Sequence, residues 1–143
     1  MNIFEALKTN LGNKIHLQEE YLDNGEKVLK FNITIDSGVN LQTIIFFNDN
    51  DIQCYTSYMK INNIYKKTEF LNLINKFNMK YKIPTFRIEE DNFITTTFVI
   101  YFLNKKYDYY PNDPEIERII ALIGVSFTIL NETYPEFMRL QWA

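Results

Sequence analysis

Between Thr68 and Leu103 the chain spells a helix, a short strand and a long strand with almost no residues between them, and no other stretch constrains the fold as much. Thr68 can cap a helix whose Phe70, Leu73, Ile74 and Phe77 recur at the helical period, so one apolar stripe turns inward while Asn72, Asn75 and Lys76 stay wet. Asn78 is expected to take a left-handed turn at its end, and Pro84 holds Ile83 extended. Thr85 to Glu89 then alternate as a strand does, Glu90, Asp91 and Asn92 turn the chain, and Phe93 to Leu103 form the long strand. Its second half, Phe98-Val99-Ile100-Tyr101-Phe102, is apolar on both faces, which predicts a place in the middle of a sheet.

Upstream, Ile3, Phe4, Leu7 and Leu11 share one side of a short helix with Asn2 as its cap and Gly12 as its stop. Ile15 to Leu22 read as a weak strand. Asp23-Asn24-Gly25-Glu26 suit a tight hairpin turn, because Asn and Gly accept positive φ. Leu29, Phe31, Ile33 and Ile35 alternate with Lys30, Asn32 and Thr34 in the next strand, and Ser37 to Asn40 form its turn. Leu41 to Phe47 end in Ile44-Ile45-Phe46-Phe47, apolar on both faces and so central; Asn48 to Asp51 turn. Ile52 to Met59 set Cys54, Thr56 and Tyr58 against Gln53, Tyr55 and Ser57. That more polar strand is expected near an edge, with Lys60 to Lys67 as a connector.

Asn104 to Asn112 carry Tyr107, Tyr109 and Tyr110 but no apolar period, which predicts a loop. Asp113 caps a helix with Pro114 at its first position, and the helix is expected to run to about Asn131. Ile116, Ile120, Ile123, Phe127 and Leu130 form a stripe for the sheet, and Ile119, Leu122, Ser126 and Ile129 form a second beside it. Ala121, Gly124, Val125 and Thr128 add a face of small residues. Tyr134-Pro135 is expected to end the helix, leaving Phe137, Met138, Leu140 and Trp142 as an apolar tail. The order helix, four strands, helix, two strands, helix predicts one α+β domain over 1–143, a single antiparallel sheet of about five to six strands packed with N-terminal, central and C-terminal helices.

Composition removes several classes of function. The net charge is −3 and basic residues never cluster beyond Lys66-Lys67 and Lys105-Lys106, so a footprint for duplex nucleic acid is missing. No apolar run has the length of about 20 residues that a membrane span requires. The single cysteine, Cys54, has no partner for an internal disulfide, and MNIFEALKTN lacks the basic start and apolar run of a secretory signal, so a reducing, cytoplasmic location is expected.

Reactive groups are scattered. His16 stands alone in the weak strand without ligand-spaced partners, and Cys54 has no basic neighbour to lower its pKa. Asp49 and Asp51 lack the Gly and distal Glu of a calcium loop and suit a turn. Glu89-Glu90-Asp91 suit a solvated hairpin turn, since neighbouring side chains there point apart. With no nucleophile elbow, phosphate loop, dinucleotide fingerprint or metal motif, the expectation is a non-enzyme without cofactor or metal.

Leu71-Asn72-Leu73-Ile74-Asn75-Lys76-Phe77-Asn78, the following Lys80-Tyr81-Lys82-Ile83-Pro84-Thr85-Phe86-Arg87-Ile88-Glu89 and the late Tyr134-Pro135-Glu136-Phe137-Met138 are similar to segments of the YbjN-like proteins, which share the fold of type III secretion chaperones. With the element order, the resemblance covers about half the chain. It implies a chaperone-like or regulatory protein, such as a bacterial sensory transduction regulator, that binds another protein. Tyr107, Tyr109 and Tyr110 are candidate interface residues or core caps, and Ile119, Leu122 and Ile129 are core or a dimer face. A homodimer fits the second option. Alternatives are a small-ligand sensor with an aromatic pocket between sheet and C-terminal helix, and a phage or mobile-element inhibitor of a host protein.

Overall fold

A computed structural model describes residues 1–103 and 107–143. In chain order the elements are α1 (Ile3–Gly12), β1 (Gln18–Tyr21), β2 (Lys27–Thr34), β3 (Asn40–Phe47), β4 (Asp51–Lys60), a 3₁₀ turn (Ile64–Lys66), α2 (Lys67–Lys80), β5 (Thr85–Ile88), β6 (Phe93–Tyr101) and α3 (Pro114–Trp142). The strands form one antiparallel sheet in the order β1-β2-β3-β4-β6-β5. The α+β class and the element order are those expected.

All three helices lie on one face. Leu29, Ile45, Cys54 and Phe98 pair across four strands and pack against α1 and the first half of α3. Leu41, Tyr58, Phe86 and Ile94 meet α2 and the second half of α3. The other face carries Ile44, Phe46, Tyr55, Val99 and Tyr101, and among the described residues no helix packs over it. Alternation generates this division, because side chains at even spacing share one face of a strand.

Two tight turns use the expected chemistry. Gly25 has φ 84° in the β1–β2 hairpin, where its amide donates to the Leu22 carbonyl at 2.8 Å. At the β5–β6 hairpin the positive φ, 66°, falls on Asn92. The Ile83–Pro84 bond that leads into β5 is cis.

Several expectations are corrected. β4 is not near an edge but lies between β3 and β6. Its polar residues Gln53, Tyr55 and Ser57 line the helix-free face, so its mixed character reports a half-covered face and not an outer position. A bulge between Ser57 and Met59 turns both Tyr58 and Met59 into the core. β6 sits between two strands only for part of its length, because β5 reaches no further than Thr97. Thr68 does not cap α2: the helix continues from the 3₁₀ turn, which Asn63 caps by accepting from the Tyr65 amide at 3.1 Å. Nor does Asn78 turn left-handed. It stays helical, accepts from the Phe86 amide at 2.8 Å and donates to the Phe86 carbonyl at 3.0 Å, binding β5 to α2.

The largest difference is at α3, which runs through Pro135 to Trp142, a length of about 43 Å. Proline removes one helical N–H and costs roughly 3 kcal/mol in a helix interior, so other contacts must hold the last two turns. Phe137 is fully buried with four aromatic neighbours, Tyr58, Phe70, Phe77 and Phe86, at centroid distances of 5.4 to 6.4 Å. Gln141 accepts from the Asn62 amide at 3.1 Å and donates to the Lys60 carbonyl at 2.7 Å. Asn131 bonds both the amide and the carboxylate of Asp36 at 2.8 Å. Phe137 and Gln141 therefore tie the tail into the core, while Trp142 at its end stays exposed.

Candidate functional site

Exposed apolar side chains recur along β6 and the segment after it. Val99 is 43% exposed, Tyr101 68% and Leu103 72%; Tyr107 and Tyr110, further on, are 94% and 60% exposed. Val99 and Tyr101 project from the helix-free face because they fall at the odd positions of β6. Residues 104–106, the first part of the expected loop and the site of the Lys105-Lys106 pair, lie outside the described residues.

The remaining residues expected at an interface are placed differently. Tyr109 is buried in the core beside α1, and its amide donates to the Met1 carbonyl at 2.6 Å. Ile119 is fully buried, and Leu122 and Ile129 are half-buried against the two parts of the core. The outward face of α3 carries Ala121, Gly124, Val125 and Thr128 instead. Val99, Tyr101 and Leu103 were missed because an apolar run on both faces of a strand reads as enclosure. Unequal lengths of β5 and β6 would have been the signal.

α3 closes the end of β6 with charged groups. Buried Glu115 accepts from the Leu103 amide at 2.8 Å, and Arg118 donates to the Tyr101 carbonyl at 3.0 Å. Next to them a hollow of about 450 Å³ is lined by Asn2, Asn48, Asn50, Phe102, Tyr107 and Tyr109 among others. It lies between the start of α1, the β3–β4 turn and the segment after β6, not between the sheet and α3. A second, shallower groove of about 520 Å³ runs between α2 and α3, with Leu73 and Leu140 in its lining and Lys76 paired to Glu136 at 3.4 Å.

Groups with potential reactivity are held apart. Cys54 is buried, and burial pushes its thiol well above its ordinary range, so it stays protonated. His16 is exposed just ahead of β1. Asp51 accepts from Asn48 Nδ2 at 2.7 Å within its turn, and Glu89 accepts from Thr95 Oγ1 at 2.9 Å. Among the described residues no three His, Cys, Asp or Glu side chains converge as metal ligands, and no helix is long and apolar enough to cross a membrane. No protein-family model matches the chain, and no curated protein matches it.

Proposed function

We propose that the chain is a non-enzymatic module that binds another protein, chaperone-like or regulatory, and acts in a reducing cytoplasm as a homodimer. One observation carries the reading: Val99, Tyr101, Leu103, Tyr107 and Tyr110 keep large apolar and aromatic surface in water along the end of β6 and the approach to α3. Tyrosines and aliphatic residues held exposed in this way are typical of contact surfaces. The buried thiol of Cys54 suits a reducing setting, and the resemblance to the YbjN-like proteins supports the class. Affinity capture from the native host tests it, using the wild-type chain beside a variant with Tyr101→Ser, Leu103→Ser and Tyr107→Ser. A stoichiometric protein held by the first and lost by the second is the expected result; identical captures overturn it. Sedimentation that shows only monomer at high concentration removes the dimer.

The hollow beside Phe102 and Tyr107 supports a second reading, a small-ligand sensor, since the aromatic residues Phe102, Tyr107 and Tyr109 line it together with Asn2, Asn48 and Asn50. A metabolite at about 100 times its dissociation constant would stabilise the chain by about 2.7 kcal/mol. A flat thermal-shift response across a metabolite panel counts against it.

A further inference from the structure

β6 outruns its outer neighbour. Its register with β5 covers Ile94 to Thr97, whereas its register with β4 continues to Tyr101, which leaves the four residues Phe98 to Tyr101 without a strand partner on the β5 side. Alternate residues of an antiparallel strand point both backbone groups at the same neighbour. The Phe102 amide donates to the Asn50 carbonyl at 3.1 Å, towards β4, while the Phe93 carbonyl accepts from the Glu89 amide at 2.8 Å, towards β5. Odd-numbered residues of β6 therefore face β5, and beyond Thr97 no strand among the described residues pairs with them. Arg118 occupies the Tyr101 carbonyl. Among the described residues, the N–H and C=O of Val99 and the N–H of Tyr101 have no hydrogen-bond partner.

We infer that this step in the sheet edge receives an extended peptide segment of a protein partner, added antiparallel to β6 in line with β5. The inference deepens the proposed function and rests on it. The chemistry of the gap selects the occupant, because two donors and an acceptor spaced along a strand are met together by another extended backbone. Its length sets the size of the occupant: Thr85 closes one end and Arg118 the other, so a strand of the four residues that Phe98 to Tyr101 span fits. Exposed Val99 and Tyr101 then offer apolar contact to alternate side chains of the incoming strand.

Heptapeptides selected from a displayed random library against the full chain are the probe, and residue-resolved amide hydrogen exchange is the readout. In the free protein the Val99 and Tyr101 amides should exchange at least about tenfold faster than those of Phe98 and Ile100, which face β4. The tightest peptide should slow both by a similar factor. Val99→Pro should abolish binding while the fold persists, since the N–H it removes is outside the β4 ladder. Should that variant not fold, methylation of alternate peptide amides asks the same question: one alternate set abolishes binding and the other leaves it. Val99 and Tyr101 amides already protected at low concentration overturn the inference. So does their protection by raised concentration alone, which would assign the gap to a second copy. A peptide that binds without protecting them overturns it while the protein-binding reading stands; no selected peptide at all overturns both.

Discussion

The Tyr58 hydroxyl donates to the Leu130 carbonyl at 2.6 Å and shares a second hydrogen bond with the Thr133 hydroxyl at 2.9 Å. The bulge of β4 is thereby tied to α3 just ahead of Pro135, at the point where the helix loses a backbone donor. Tyr58→Phe removes these bonds and keeps the ring among its aromatic neighbours. The expected cost is about 1 to 2 kcal/mol in urea unfolding, with a melting point lower by a few degrees. An unchanged midpoint would show that the bond does not hold the helix.

Pro135→Ala should stabilise the protein. It restores the N–H that the Asn131 carbonyl lacks, and Pro135 is exposed, so no core contact is lost. A gain of about 1 to 3 kcal/mol is expected by chemical denaturation. A loss would mean that the proline shapes α3 in a way the packing of Phe137 and Gln141 requires.

Asn78→Ala strips both backbone groups of Phe86 of their side-chain partners. A cost of about 2 kcal/mol is expected, as part-buried donors and acceptors are left unpaired. Hydrogen exchange should quicken first in β5. If β5 keeps its protection, α2 is not what holds that edge strand.

Alkaline pH should destabilise the fold in two steps. Burial raises the Cys54 thiol and the Tyr58 phenol above their unfolded values. Groups raised in the fold bind protons more tightly there, so their contribution is whole below the unfolded pKa and is lost as pH climbs above it. The thiol therefore acts from about pH 8.5 and the phenol from about pH 10. Between about pH 8 and 9.5 the wild type should lose about 1 kcal/mol more than Cys54→Ala, each relative to its own value at pH 8. Parallel curves would place the thiol in water.

Local pattern made much of this architecture legible. The stripe of Phe70, Ile74 and Phe77 and the alternation of Leu29 and Phe31 each report a face against the core. Tertiary packing decided the rest. Pro135 stops a helix by local rules, yet the burial of Phe137 and Gln141 carries α3 past it. β4 looked peripheral because half of its side chains face the uncovered side of the sheet. Tyr107 and Tyr109 have the same local character, and the packing of Tyr109 beside α1, with its amide on the Met1 carbonyl, separates core from surface. The gap beside Val99 depends on how far β5 reaches along β6, a long-range register that neither segment encodes alone.

Sealing of one sheet face by helices, with the other left open, is what exposes Val99 and Tyr101 in the proposed contact surface. Thiol labelling of a Val99→Cys chain tests it directly, because Cys54 on β4 lies on the covered face and Val99 on the open one. The expected result is one thiol modified in the native protein and the second only after urea unfolding. Two reactive thiols in the native chain, or none, would contradict it.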